Sequence, residues 1–469
     1  MKKKTTYDII LFSILGVLAF LPILQEHFRL MSLKPLNGVV VEEEKPECSK
    51  GSYVSGHYQK QMEAYLGQHF GFREPVIRIY NQYLWNCFHE SNNPTVMRGK
   101  DNWLYEEVYV RDHYESLMYK YTQDTAEMRN FYETEALRLW KVQALLEELN
   151  IHIFVNINPG KDVICPEYLP KNKLYLHPEG LRAYDYLIKR FDELGINYID
   201  NVPIFKAIKN SVDYPLFYQT GTHWSNIAAV HVFDSILRYM ENLSGQQLYH
   251  LEIGEKYQAK PRKPDQDLEE LLNLAFPMKS SPYWYADVTV KEDSTAVKPF
   301  LLTIGDSYFW NFAYNVPLQD LFRGHPYWYY NYIVYYDSAN TSTLDLDLEQ
   351  ELMRADYIML NYGTTSLYEF ASRFLSRALL YLCYDKASID AAVHGLIENI
   401  KSDPKRYAEI KKNAENDRED LNQALYNIAL YLIKENPEIY FEDLQGEKMP
   451  ISRNKDLPSL RKALSSRQP

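Results

Sequence analysis

The sequence predicts an α/β protein with a mostly parallel sheet flanked by helices. Short apolar, β-prone runs recur at 151–157, 196–200, 299–304, 332–336 and 357–361. Helix-length sequence separates each run from the next, which is the alternation that builds crossover units. The run at 299–304 stops at Gly305-Asp306-Ser307, and Tyr308-Phe309-Trp310 then opens a helix-prone stretch. That arrangement predicts a hydroxyl at the carboxyl end of a strand, where open α/β sheets place their ligands.

The elements follow in order. Lys2-Lys3-Lys4 precedes an uncharged run from Ile9 to Leu24, closed by Gln25 and Glu26. The run lies between a signal-peptide core and a spanning helix in length, and bulky Leu21-Pro22-Ile23-Leu24 offers no small-residue cleavage site. Residues 1–25 are therefore expected to be an uncleaved signal anchor, with the lysines cytoplasmic and the rest exported to the periplasm or cell surface. A cleaved signal peptide is the alternative. Residues 26–55, acidic around Glu42-Glu43-Glu44, are expected to form a stalk. Residues 56–384 are expected to form the α/β domain, beginning with a helical stretch over 57–88 interrupted at Gly67 and Gly71. Within it, a long irregular insert is expected around Pro261, Pro264, Pro277 and Pro282. Residues 385–469, rich in lysine and glutamate, are expected to be a helical extension, read as a solvated helical hairpin that docks on or extends the domain, with a small helical appendage as the alternative.

Composition narrows the function. With 51 Lys+Arg against 63 Asp+Glu, the formal charge is −12, and no basic stripe marks a nucleic-acid surface. Cys48, Cys87, Cys165 and Cys383 are too scattered for a metal knuckle. An exported location permits disulfides, with the pairing left open. The histidines do not cluster, so no metal and no cofactor is expected.

The chemistry is expected at Ser307 and at His223, within Gly221-Thr222-His223-Trp224-Ser225. Ser225 can cap a following helix whose apolar stripe is Ile227, Val230, Phe233 and Leu237. A serine at a strand-to-helix turn and an imidazole on a distant loop are what acyl transfer through a serine nucleophile requires. The backbone N–H groups just after Ser307 are expected to stabilise an oxyanion, with Gly160 as a further donor. The alternatives are a capping serine and a packed, satisfied histidine.

Several segments resemble one family. Phe70-Gly71-Phe72-Arg73, Arg98-Gly99-Lys100-Asp101-Asn102-Trp103-Leu104-Tyr105 and Asn158-Pro159-Gly160-Lys161, continuing to Cys165-Pro166-Glu167-Tyr168-Leu169-Pro170, are its loop motifs. Thr222-His223-Trp224 and Gly305-Asp306-Ser307 match its histidine and serine blocks. The chain thus resembles the SGNH-hydrolase-type, alginate O-acetyltransferase-like proteins, including the relatives named for an Asp-His-His-Trp motif. The histidine block precedes the serine block, the circularly permuted order of that branch. The resemblance spans about 57–375 and implies O-acetyl transfer to an exported polysaccharide. It also implies a membrane-bound O-acyltransferase partner that delivers acetyl groups.

One position departs from the pattern: the motif aspartate is Gly221, which has no side chain. An orienting acid must come from elsewhere, with Asp306, Asp213 and Asp162 as candidates, unless a backbone carbonyl holds the imidazole or the site is inactive. Lys161, Gly160, Trp224 and Asn361 are the expected substrate contacts, with Trp103 and Trp310 as further rings for sugar stacking. An esterase of the same chemistry and a non-catalytic glycan-binding scaffold are the competing functions.

Overall fold

The computed structural model describes residues 2–38, 42–115, 125–170, 182–336, 341–371, 373–449 and 457–465. The chain packs into two compact units. The first takes in the chain up to Glu107 together with Gln219–Gly221 and Gln266–Ser281; the second holds the remainder.

In the first unit, helix Lys2–Phe28 contains the uncharged run. Its segment Tyr7–Phe28 spans 22 residues and holds an 18-residue window of mean hydropathy 2.3 that is not buried. By length and composition it can cross a membrane, and a signal sequence meets the same criterion. Helices His57–Gln68 and Arg73–Tyr83 follow, with a π-turn at Leu84–Phe88. Gly67 stays inside the first of these, and the break falls at residues 69–72. Strands β1 (Val96–Arg98) and β2 (Leu104–Glu106) pair antiparallel over a small core of Trp85, Val96, Leu104, Leu268 and Leu272. The Arg98 guanidinium lies 3.8 Å from the Trp85 ring centre, a cation–π contact that pins this hairpin to the π-turn.

The second unit contains β3 (His152–Asn158), β4 (Tyr198–Asp200), β5 (Leu251–Ala259), β6 (Tyr283–Val290), β7 (Leu301–Gly305), β8 (Tyr327–Tyr329), β9 (Ile333–Tyr335), β10 (Thr341–Ser342) and β11 (Tyr357–Gly363). Seven of them form one sheet in the order β10-β9-β8-β7-β11-β3-β4. From β8 to β4 every neighbour is parallel, and β9 and β10 add an antiparallel wing. The central strands are apolar on both faces because helices cover both. Ile153, Val155, Ile157, Leu302, Ile304, Ile358 and Leu360 are fully buried and share a core with helices Thr125–Glu147, Ala183–Leu194 and Phe374–Cys383. Each such side chain contributes about 1.5–3 kcal/mol by leaving water. Helices Asn201–Ile208 and Asn226–Ser244 pack against β3, and Tyr357 Oη donates to Ser244 Oγ at 2.6 Å.

One expectation is corrected here. Residues 251–290 are not all irregular, because β5 and β6 pair antiparallel on either side of the proline-rich stretch. The helices beyond 385 dock on the second unit by one face. Ile389, Val393 and Ile400 of helix Lys386–Ser402 are buried in the core that serves the sheet, as are Leu425, Ala429 and Ile433 of helix Leu421–Glu435. Their i, i+4 and i+7 spacing puts one stripe inward and leaves the lysines and glutamates outside. All four cysteines are free thiols.

Candidate active site

The site lies at the carboxyl edge of β7. Gly305 ends the strand because no other residue fits there: a Cβ at that position would stand 1.9 Å from the carbonyl oxygen of Asn361 on β11. The chain then turns through Asp306 and Ser307 into helix Phe309–Asn315. Ser307 is half-buried, and Asp306 beside it is completely enclosed.

Asp306 is the brace of this turn. Its Oδ1 accepts the Tyr308 N–H at 3.1 Å, and its Oδ2 accepts the Gly363 N–H at 2.6 Å. Its own N–H donates to the Asn361 carbonyl at 3.1 Å. Burial raises its pKa, while the Gly363 N–H, the Ser366 hydroxyl and the Tyr308 N–H pull it back down. The expected catalytic aspartate therefore joins the ends of β7 and β11 and positions the serine between them.

His223 reaches the serine from the loop before helix Asn226–Ser244. Ser225 caps that helix, accepting the Ala228 N–H at 3.3 Å, and the predicted stripe of Ile227, Val230, Phe233 and Leu237 is buried. His223 Nε2 stands 2.9 Å from Ser307 Oγ. The Tyr308 ring meets the imidazole edge-on at 4.9 Å and donates its hydroxyl to the Pro159 carbonyl at 2.9 Å. One tyrosine thus connects the nucleophile turn, the histidine and the loop after β3.

The oxyanion donors differ from expectation. The N–H groups after Ser307 are occupied: Tyr308 donates to Asp306 Oδ1, Phe309 to the Asp306 carbonyl and Trp310 to the Ser307 carbonyl. Among the described residues, the N–H groups of Ser307 itself and of Gly160 have no protein acceptor. Gly160 is confined as a glycine, since a Cβ there would sit 2.5 Å from Asp162 Oδ1.

Three expected substrate contacts face inward. Trp224 is 1% exposed and packs on Phe205, Tyr308 and Phe312, so it supports His223 from beneath and is closed to a sugar ring. Lys161 is 2% exposed. Asn361 belongs to a buried asparagine cluster, its Oδ1 accepting from Asn156 Nδ2 at 2.8 Å and from Asn158 Nδ2 at 3.2 Å. Trp310 is half-buried, one turn after the serine.

None of the candidate orienting acids hydrogen-bonds to His223. Asp306 serves the turn, Asp213 is on the surface paired with Lys256, and neither oxygen of buried Asp162 has a hydrogen-bond partner among the described residues. Burial pushes Asp162 up to about 8. Sequence reasoning missed Tyr308, Asn311 and the loop 363–366. Asn311 Nδ2 donates to the Trp224 carbonyl at 3.2 Å and to Asn226 Oδ1 at 2.7 Å, tying the serine's helix to the histidine's. The signal for the asparagine cluster was present: Asn156, Asn158 and Asn361 are amides ending otherwise apolar strands.

Residues 96–317 match the family described as SGNH hydrolase-like domain, acetyltransferase AlgX. The match takes in 222 of the 469 residues, including both the histidine and the serine blocks. Solved structures similar to it include the O-acetyltransferase domain of Pseudomonas putida AlgJ, with 14% identity, TM-score 0.40, and 61% of this chain and 99% of that one covered. Pseudomonas aeruginosa AlgX matches with 13% identity and TM-score 0.39, over 61% of this chain and 66% of that one. Bacillus cereus PatB1, solved with a sulfonyl adduct, matches with 12% identity and TM-score 0.36, over 60% and 99%. No curated protein matches the chain. In this SGNH-like domain the histidine and serine blocks, 84 residues apart, meet at one sheet edge.

Proposed function

We propose that the protein is an O-acetyltransferase that acylates an exported or cell-envelope polysaccharide through an acetyl-Ser307 intermediate. The contact between His223 Nε2 and Ser307 Oγ, at 2.9 Å, carries the reading. Neutral His223 takes the hydroxyl proton as Oγ attacks the acetyl carbonyl, and the Ser307 and Gly160 N–H groups stabilise the tetrahedral anion. The imidazolium then protonates the leaving group, which departs and leaves the acetyl ester on Oγ. A sugar hydroxyl attacks that ester, gives its proton to His223 and departs acetylated as the serine recovers its hydrogen. Water in place of the sugar makes the same site an esterase.

The match to the acetyltransferase AlgX family model supports acetyl transfer, and the polysaccharide acceptor rests on the resemblance of the motifs. Helix Lys2–Phe28 is the membrane anchor in this reading, holding the domain on the extracytoplasmic side beside a membrane-bound O-acyltransferase that supplies acetyl groups. A second reading, a non-catalytic glycan-binding scaffold, is favoured by Gly221 in place of the motif aspartate.

Phenylmethylsulfonyl fluoride separates the two. Catalysis predicts a sulfonyl adduct mapped to Ser307 by mass spectrometry and lost in Ser307→Ala. Transfer of acetyl from 4-nitrophenyl acetate to an oligosaccharide then distinguishes transferase from esterase. An unlabelled Ser307 with no acetyl turnover leaves the scaffold.

A further inference from the structure

Helix Arg73–Tyr83, in the first unit, is turned inside out. A helix on a protein surface ordinarily buries its apolar stripe. Here Val76, Ile79, Tyr80 and Tyr83, at i, i+3, i+4 and i+7, are each 52–64% exposed, while the inward side carries buried Asn81. Hydrogen bonds within the unit fix that rotation. Asn81 Nδ2 donates to the Leu272 carbonyl at 2.9 Å, and Arg78 Nη2 donates to the Pro35 carbonyl at 2.7 Å. Phe88 extends the stripe, its ring edge-on to that of Tyr83 at 5.4 Å and itself 54% exposed. Apolar side chains exposed singly need no explanation, but a contiguous row of them on one face marks a surface that meets something apolar.

The contact of this helix with helix Lys2–Phe28 identifies what it meets. At about 1.5 Å per residue, about 20 residues cross the roughly 30 Å hydrocarbon core, so a span that begins at Tyr7 reaches the far boundary near Glu26. Helix Arg73–Tyr83 starts at that level. Gly71, two residues before it, packs backbone to backbone on the spanning helix. A Cβ there would overlap the Pro22 carbonyl oxygen and stand 2.6 Å from the Glu26 nitrogen, so only glycine permits the approach. The chain that leaves the spanning helix is tied down in the same unit, the Asn37 N–H donating to Asn273 Oδ1 at 2.8 Å. The open stripe therefore begins at the depth where acyl chains give way to headgroups. Tyr80 and Tyr83 suit that depth, because a tyrosine ring takes the apolar side and its hydroxyl the wet one.

We propose that helix Arg73–Tyr83 lies in the headgroup boundary of the bilayer, with Val76, Ile79, Tyr80, Tyr83 and Phe88 against lipid. The first unit is then held to the membrane twice, by the spanning helix and by this face, and the inference rests on the anchor reading given above. Nitroxide labels on the full chain, reconstituted in vesicles of phosphatidylcholine and phosphatidylglycerol, test it by electron paramagnetic resonance. Cys48→Ser and Cys87→Ser remove the exposed thiols, while Cys165 and Cys383 are buried. A label at Ile79→Cys is expected to be at least about twice as accessible to oxygen, which dissolves in lipid, as to the water-soluble nickel complex of ethylenediaminediacetate. Tyr80→Cys carries the same expectation and replaces Ile79→Cys should that variant fail to fold. Greater access to nickel than to oxygen at these positions overturns the proposal. Low access to both reagents places a second copy of the chain over the stripe, and overturns it too. Leu15→Cys, in the middle of the uncharged run, separates this proposal from the anchor reading. Oxygen dominant at Leu15 with nickel dominant at Ile79 ends the proposal and leaves the anchor. Nickel dominant at Leu15, or a purified chain whose amino terminus lies beyond Phe28, ends both.

Discussion

Asp162 gives a prediction whose size follows from its surroundings. Its carboxyl is 1% exposed and has no hydrogen-bond partner. Burial raises its pKa from 3.8 to about 8, and the nearby N–H groups of Asp162 and Val163, which lower it, do not reach hydrogen-bonding geometry. The folded protein therefore holds this proton more tightly than the unfolded chain does. Stability from this group is complete below about pH 4 and is lost as pH rises towards 8, by about 1.4 kcal/mol per unit. Across the window the ceiling is about 6 kcal/mol, reduced by whatever water relaxation admits. Asp162→Asn cannot ionise. Its buried amide adds a fixed offset of about 1–3 kcal/mol, but no dependence on pH. The stability of Asp162→Asn minus that of the wild type should then rise steadily from pH 5 to pH 8. Urea unfolding of the full chain in one detergent, followed by tryptophan fluorescence at each pH, measures that difference. A difference flat within about 0.3 kcal/mol per unit would refute the argument, whatever its absolute value.

Other substitutions probe the reaction edge. Ser307→Ala and His223→Ala should each reduce acetyl-ester turnover by about 10⁵–10⁶-fold, and the double variant should be no worse than either, measured with 4-nitrophenyl acetate. Independent, multiplying losses would show that the two do not act as one unit. Gly305→Ala, whose Cβ meets the Asn361 carbonyl at 1.9 Å, should separate β7 from β11 and lower the urea midpoint along with activity. A variant with unchanged midpoint would contradict that packing. Trp224→Ala should cost about 3–5 kcal/mol of stability and raise the fraction of protein lacking sulfonyl labelling, since the ring supports His223. Undiminished labelling with unchanged stability would return Trp224 to the surface role first expected of it.

Sequence periodicity made the parallel strands legible, because β3, β7 and β11 are continuous apolar runs that nothing but a doubly covered sheet accommodates. It also picked out the serine and the histidine that the fold brings within 2.9 Å, since Gly305 and Ser225 are turn and cap residues with strong local preferences. The rest was hidden for physical reasons. Strand β8 is three aromatic residues whose membership depends on β7 beside it, and β5 alternates with charge, so the nearby prolines dominated the reading. The helices beyond 385 carry a clear stripe at Ile389, Val393, Leu396 and Ile400, yet their lysine and glutamate content suggested exposure. Trp224, Lys161 and Asn361 were chosen by chemistry, and chemistry alone does not report which way a side chain faces. Asp306 was read as the acid nearest the serine, with its side chain serving the turn, but the donors it holds, the N–H of Tyr308 two residues on and that of Gly363 57 residues on, come together only after folding.

Strand β11 lies between the strand that bears the nucleophile and the strand that leads to Gly160, and it is supplied by residues 357–363. The stretch shared with the family ends at residue 317. The Ser307 hydroxyl and the Gly160 amide, the attacking oxygen and anion donor of the proposed mechanism, are consequently neighbours only by way of a later piece of chain, so synthesis must pass well beyond the serine before the two can meet. A fragment cut at the family boundary would possess every reacting group and still lack the partition that spaces them.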